Sequence, residues 1–299
     1  MFSRRHPYLF FILLMTAMVT GSSMLMRLGT AMTKSEVQGE SIGVVELYGP
    51  IMDSSQILED IRKFRDNEKI RAIVLRVDSP GGGVGPSQEI YRALQMARKE
   101  KPVIASFGSV AASGGYYVAA ATDGIMANAG TVTGSIGVIL GYTNFRELAE
   151  RIGLQSVVIK SGEHKDMASP VKDLSSEDRD ILQALVDRMH RQFVRDVATG
   201  RDMEENTVAT LADGRIYAGE EAMELGLVDR LGNFEDALSW AAEKAGIDPD
   251  KWVAVYPERE RSWLWDIIDG GAQSLVNAMD RKMGFTGGYL WTPGMQQGL

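Results

Sequence analysis

Two glycine-rich turns contain the groups best suited to chemistry. Residues 78–85 read Asp-Ser-Pro-Gly-Gly-Gly-Val-Gly after one predicted strand, and residues 111–116 read Ala-Ala-Ser-Gly-Gly-Tyr after the next. Because the carboxyl ends of adjacent parallel strands face one crevice, the two turns are predicted to border a single site. Neither turn has the glycine and lysine spacing of a phosphate-binding loop, so a nucleotide site is not indicated.

Ser113 is the candidate nucleophile in the second turn. It lies where a predicted strand gives way to a helix, so the backbone N–H groups just after it are free to donate hydrogen bonds to a developing oxyanion. A serine at this place can also simply cap the helix. The Gly-x-Ser-x-Gly elbow of α/β-hydrolases is absent because position 111 is alanine, which disfavours that fold.

The choice of a catalytic base is narrow, because the 299 residues include no cysteine and three histidines. Without cysteine, disulfides, thiolate metal sites and cysteine nucleophiles are excluded. His6 precedes a predicted membrane anchor, and His190 lies in a predicted helix, where we expect it at the surface. His164 and Lys165 remain, both in the loop 160–166. A lysine can act as a base only where desolvation lowers its pKa from about 10.4 toward 7, and the local sequence does not choose between the two.

The composition describes a folded enzyme rather than a nucleic-acid protein. A net charge of −8 disfavours a partner whose binding depends on neutralising phosphates, so no nucleic acid is expected. Glycine accounts for 32 of the residues without a collagen-like period, as in turn-rich α/β enzymes. No metal site and no cofactor are predicted.

The N-terminus is predicted to cross a membrane. Residues 7–26 contain no charge and would form about 30 Å of helix, the thickness of a bilayer core. Arg4 and Arg5 precede them, so residues 1–27 are expected to be a cytoplasmic start and a transmembrane signal anchor, followed by a linker over 28–41. A cleaved secretory signal is the alternative, because small residues follow the apolar stretch. With the anchor retained, the protein is expected to cross a bacterial inner membrane once, with its catalytic domain on the extracytoplasmic side.

Residues 42–257 are predicted to form an α/β domain, because strands and helices alternate as in parallel βαβ units covered by helices. Residues 258–299 form a patchy amphipathic tail, expected to pack on a neighbouring subunit or the membrane surface unless it is loosely ordered. The predicted strands are 42–48, 72–77, 103–106, 125–127 and 156–159. The predicted helices are one capped by Ser54, then 86–99, 113–121, 143–152, 175–199, 204–211, 219–225 and 233–245.

Four segments that follow one another along the chain resemble the signal peptide peptidase A family and, more distantly, the Clp protease and crotonase superfamily. The resemblance covers residues 42–245, and the length and single anchor resemble the short, single-repeat bacterial form. It implies Clp/crotonase-like repeated ββα units with a parallel sheet covered by helices, preceded by one N-terminal transmembrane helix. The segments are 78–83, 111–117, 133–138 and 160–170.

The resemblance also implies a Ser–Lys dyad. Ser113 would be the nucleophile and Lys165 the general base. The resemblance thus favours Lys165 over His164, a choice that the local sequence leaves open. A ring or dome oligomer is implied, in which Lys165 reaches Ser113 of a neighbouring subunit. The oxyanion hole would be formed by the N–H groups of Gly114 and Gly82. Two further hydroxyls are candidates for orienting the lysine, those of Ser135 and Ser161.

The function expected on this resemblance is that of a membrane-anchored serine endopeptidase that degrades signal peptides after their release from precursors. Its substrates would be extended, apolar peptides. One alternative is a stomatin-partner membrane protease of the same superfamily, and another is a catalytically silent membrane scaffold. A crotonase-type acyl-CoA enzyme is disfavoured, because an extracytoplasmic site lacks the coenzyme thioesters.

Overall fold

A mostly parallel sheet carries the candidate site. In the computed structural model, which describes residues 41–248 and 251–257 together with seven single positions between 8 and 21, the strands follow the order β6-β5-β3-β2-β1-β8, and β4 joins β3 to β7. Only the β5–β6 pair is antiparallel among them. The strands are β1 (Ser41–Tyr48), β2 (Ile70–Ser79), β3 (Val103–Ala112), β4 (Gly124–Ala127), β5 (Val132–Gly134), β6 (Ile216–Ala218), β7 (Arg230–Leu231) and β8 (Val253–Val255).

Helices cover both faces of this sheet. The helices are α1 (Ser55–Asp66), α2 (Val84–Ala97), α3 (Gly114–Ala119), α4 (Arg146–Arg151), α5 (Ser176–Arg201), α6 (Glu205–Leu211), α7 (Gly219–Glu224) and α8 (Phe234–Lys244), with a single 3-10 turn at Glu163–Asp166. Side chains of β1 alternate between the two faces. Ile42 and Val44 pack in a cluster with α8, whereas Val45 and Leu47 pack with α1, α2 and α3. The predicted α/β class with a parallel sheet between helices is confirmed.

Strand β3 divides its length between two partners. Residues 104–106 pair with β4, and residues 110–112 pair with β5. At the division, the Asp78 carboxylate accepts hydrogen bonds from the backbone N–H groups of Ser109 and Val110, at 3.2 and 3.1 Å. A Cβ on Gly108 would lie 2.5 Å from Asp78 Oδ2, so glycine is required for this close approach. The register against β2 shifts at this point, because Val77 pairs with Phe107 and Ser79 pairs with Ala111.

Most predicted elements are confirmed, with ends that shift by a few residues. The predicted strand at 156–159 is wrong. This stretch is irregular in the structure, with Val157 and Ile159 84% and 97% exposed, because no strand of the described chain lies beside it. Ser54 does stand at the N-cap position of α1, but its hydroxyl donates to Glu89 instead of accepting from the helix backbone.

The stretch 139–159, here called the apolar segment, has no buried side chain although it is rich in aliphatic residues. It includes Ile139, which is 93% exposed. Large apolar side chains exposed in one contiguous stretch are typical of a contact surface. The exposed large apolar residues of the segment are Ile139, Leu140, Tyr142, Phe145, Leu148, Ile152, Leu154, Val157, Val158 and Ile159.

The predicted anchor at 7–26, most of the linker at 28–41 and the tail at 258–299 lie largely outside the described residues. Within the part of the chain that the structure does describe, no helix combines the length and the apolar character needed to cross a bilayer. These three assignments therefore stay predictions.

Candidate active site

Ser113 occupies a strained junction between β3 and α3. Its backbone has φ 53° and ψ −118°, a conformation that residues other than glycine rarely adopt. Two backbone hydrogen bonds hold it there, from Ser113 N to the carbonyl of Gly134 and from Tyr117 N to the carbonyl of Ser113, both 2.8 Å. Among the described residues, the Ser113 hydroxyl has no hydrogen-bond partner. The junction therefore presents an unengaged hydroxyl.

The first glycine-rich turn packs against this junction without intervening side chains. Gly81 has φ 101°, and a Cβ on it would lie 2.7 Å from the backbone nitrogen of Gly114. The next residues of the turn bridge to Ile51, whose N–H donates to the Gly81 carbonyl and whose carbonyl accepts from Gly83 N. A Cβ on Gly82 would meet the Ile51 carbonyl oxygen at 2.3 Å. Only glycine fits at these positions.

Two backbone N–H groups beside Ser113 are available to a ligand. In the parallel bridge to Ile51, the bonds are made by Gly81 and Gly83, so the N–H of Gly82 points to the opposite side. Its nitrogen lies 3.1 Å from the place where a side chain on Gly114 would begin. Within the described chain, neither the Gly82 nor the Gly114 N–H donates to any acceptor. Paired free donors next to a hydroxyl are the arrangement of an oxyanion hole.

An apolar cleft opens over Ser113. Its wall includes Met189 and Phe193, one turn apart on α5. Tyr117, also in the wall, donates to Asp196 Oδ2 at 2.5 Å, and burial together with this bond raises its pKa. Tyr117 therefore stays neutral and hydrogen-bonded to Asp196 in the wall of the cleft. The lining residues are Gly82, Val84, Ser87, Gln88, Ser113, Gly114, Tyr117, Gly137, Val138, Ile139, Met189 and Phe193.

Sequence reasoning missed Ser87 and the function of the α5 face. The Ser87 hydroxyl donates to the Gly83 carbonyl at 2.8 Å and lies 2.7 Å from the Cβ position of Gly114. It therefore braces the oxyanion turn, but no local motif marks it. The apolar spacing of Met189 and Phe193 in the sequence did indicate a common face, although not that the face borders the cleft.

Lys165 is not placed in the cleft by its own chain. It lies in the exposed 3-10 turn, and its amine has no hydrogen-bond or ion-pair partner among the described residues. Its neighbour His164 is bound through Nδ1 to Asp178 Oδ1 at 2.8 Å. His190, expected at the helix surface, is half-buried, and its Nε2 is buried without a partner within the described chain.

The two supporting serines lie in different places. Ser135 directly follows β5 with φ 51°, and its N–H donates to the Arg215 carbonyl at 2.7 Å. It is thus next to Gly134, the residue whose carbonyl holds Ser113. Ser161 is exposed in the loop before Lys165. Each is near one half of the predicted dyad, and the single chain does not bring the halves together.

Comparison with known proteins matches the chain to two family models and to several named proteases. Residues 95–248 match peptidase family S49, and residues 41–135 match the Clp protease family. A candidate protease from Synechocystis sp. is 42% identical over 254 residues, which are 84% of this chain and 91% of the relative. A candidate signal peptide peptidase SppA from Enterococcus faecium is 43% identical over 240 residues, or 77% of this chain and 70% of the relative. The chloroplastic serine protease SPPA of Arabidopsis thaliana is 32% identical over 243 residues, or 81% of this chain and 36% of the relative.

Replacing Gly82 by alanine should disable the site by moving the turn off Ile51. We expect G82A to slow labelling of Ser113 by a fluorophosphonate probe by about 100-fold or more, the effect of losing one oxyanion donor. The matched control is G85A in the first turn of α2, three residues further on, where a Cβ would meet no atom within 4 Å. Equal labelling rates for G82A and G85A would contradict the assigned oxyanion hole.

Proposed function

The chain belongs to peptidase family S49 and is a serine peptidase, and we propose that Ser113 is its nucleophile and Lys165 of a neighbouring copy its general base. The observation that carries this proposal is the separation of the two residues. Ser113 lies in the cleft with an unengaged hydroxyl, whereas Lys165 of the same chain is exposed elsewhere. A second copy is then needed to complete the site.

In the first step, the Ser113 oxygen attacks the scissile carbonyl carbon and its proton passes to the neutral Lys165 amine. The carbonyl oxygen becomes an oxyanion, which accepts hydrogen bonds from the N–H groups of Gly82 and Gly114. Collapse of this intermediate breaks the C–N bond. The Lys165 ammonium returns its proton to the departing amine, leaving an acyl ester on Ser113.

In the second step, water hydrolyses the ester. The amine of Lys165 removes a proton from water as the water oxygen attacks the ester carbonyl, and the same oxyanion hole holds the new negative charge. The Ser113 oxygen leaves and recovers its proton from the lysine. Removal of water from a lysine amine favours its neutral form, which is the form that accepts protons. The apolar cleft lined by Met189 and Phe193 supports this requirement.

The apolar segment supports contact with a neighbouring copy. It begins at Ile139, which lines the cleft of its own chain, and runs toward the turn that bears Lys165. Covering its exposed aliphatic side chains would remove them from water, which stabilises association. A head-to-tail contact in which each chain gives its lysine to the next completes every site when the rotation between copies closes into a ring. We therefore propose a homo-oligomer with shared dyads.

Mixing two inactive variants tests the shared dyad. S113A and K165A should each hydrolyse a peptide at least about 1,000-fold more slowly than the wild type. Co-expressed in equal amounts, they should recover about a quarter of the wild-type activity, because about a quarter of the contacts then join an intact serine to an intact lysine.

Each variant purified alone is the control, together with the mass of the assembly. No recovery in mixed oligomers of normal mass would argue against sharing. Wild-type activity in K165A would remove the lysine from the mechanism. Failure of an acylating probe to label Ser113 in the assembled wild type would favour a silent scaffold.

The cleft supports an apolar peptide substrate. Its walls are largely aliphatic and aromatic, and one relative is named a candidate signal peptide peptidase. The central stretch of a signal peptide is an apolar run of 7–15 residues. We propose that the chain is an endopeptidase that degrades signal peptides released from secreted precursors.

A lysine on the cleft wall should weaken such substrates selectively. M189K should raise the KM for a peptide with an apolar signal-like core by about tenfold, because burying an apolar residue beside a charge loses about 1–3 kcal/mol. The change is measured against a polar peptide of equal length. Q183K, an exposed position on the same helix, is the control and should leave both KM values unchanged. A preference for polar peptides in the wild type would contradict the proposal and favour a different membrane protease.

We also propose that residues 7–26 anchor the chain in a bacterial inner membrane with the catalytic domain on the extracytoplasmic side. The charge-free length of this stretch and the preceding Arg4 and Arg5 support the orientation. The full chain should sediment with membranes and resist extraction at alkaline pH, whereas a chain beginning at residue 28 should remain in the supernatant. Release of the full chain by alkaline extraction, or a mature N-terminus near residue 24, would instead indicate a cleaved signal.

A further inference from the structure

The turn that bears Lys165 is held by side-chain contacts on both sides of the lysine. Before it, His164 Nδ1 lies 2.8 Å from Asp178 Oδ1. After it, Asp166 Oδ1 accepts from the amines of Lys160 and Lys172, at 2.8 and 3.1 Å. The neighbours of Lys165 are therefore engaged, while its own amine stays unengaged among the described residues.

Asp178 provides a fixed point for the contact with His164. Its side chain is 4% exposed, and its backbone N–H donates to the hydroxyl of Ser175, the N-cap of α5, at 3.0 Å. The same helix carries Phe193, which lines the cleft of Ser113. Helix α5 thus supports the cleft of its own chain and, through Asp178 and His164, the turn that carries the lysine.

The charges around His164 favour its protonated form. Its hydrogen bond to Asp178 raises the imidazole pKa and lowers the pKa of the carboxyl group. Glu177 Oε1 lies 3.7 Å from Nε2, and the carboxylate of Glu163 adds to the same effect. Lys172 Nζ, 3.5 Å from Asp178 Oδ2, is the cation facing the same carboxylate. An imidazolium paired with a buried carboxylate is therefore the state that this network stabilises.

We propose that His164 and Asp178 are positioning residues that fix the turn carrying Lys165, so that the lysine enters the neighbouring cleft in a reactive orientation. The proposal rests on the proposed role of Lys165 as the base. The ionic part of the contact is complete below the ordinary imidazole pKa of about 6.5 and is lost as pH rises through the raised value in the folded chain. The hydrogen bond from a neutral imidazole can persist above it.

Kinetics of substitutions at position 164 test the proposal in the full-length, assembled protein. H164A should lower kcat by about 10- to 100-fold, the range expected for a small misplacement of a catalytic group, while KM for the apolar peptide stays within about twofold. H164N should restore most of kcat, because its amide nitrogen can donate to Asp178 from near the position of Nδ1. The ratio of wild-type to H164N kcat should fall as pH rises from about 6 to about 9, because histidine at position 164 loses its charge in this range whereas asparagine does not titrate.

The control is D180N, an exposed carboxylate on the same helix as Asp178, which should keep kcat within about twofold of the wild type, and oligomer mass is measured for every variant. Wild-type kcat in H164A, with K165A inactive, would overturn the positioning role and leave the dyad standing. A kcat loss in H164A that follows loss of the oligomer and is not rescued by H164N would also overturn it. Activity in K165A together with none in H164A or H164N would overturn the dyad itself and assign the base to His164.

Discussion

The close approach of three backbone segments fixes the geometry of Ser113. The turn at Gly81 and Gly82 approaches the junction at Ser113 and Gly114 so closely that side chains would collide, and the Gly134 carbonyl at the end of β5 accepts the Ser113 N–H. A strained residue of this kind costs about 1–3 kcal/mol and persists only when its surroundings hold it. The central strands β2 and β3, buried between helices on both faces, provide that support.

Much of this arrangement could be predicted from the sequence because the relevant signals are local. Alternation of apolar residues marks strands, and helical spacing marks α5, whose capped start at Ser175 is confirmed by its bond from Asp178 N. Glycine clusters report backbone geometry directly, so the turns containing Gly82 and Gly114 could be recognised as parts of one site. The choice of Lys165 over His164 required resemblance to a family, because both residue types can serve as bases.

The parts that could not be predicted depend on contacts distant in sequence. The pattern at 156–159 suits a strand, but a strand needs a partner, and the described chain provides none. The hydrogen bond between His164 and Asp178 joins residues 14 positions apart, and no sequence motif marks it. No motif marks the hydrogen bond from Ser87 to the oxyanion turn either. The prediction for His190 also depends on distant contacts, because this residue is expected at the helix surface but has a buried ring nitrogen.

The exposed apolar segment has a consequence for control of the enzyme. If nucleophile and base come from different copies, a lone chain is a zymogen that needs no cut to activate it. Its specific activity would then rise with the concentration of chains, because association follows mass action. A chain that has not met a neighbour would hold a serine without a base, and peptide cleavage would begin only after copies assemble. Assembly would then do what removal of a propeptide does in other proteases.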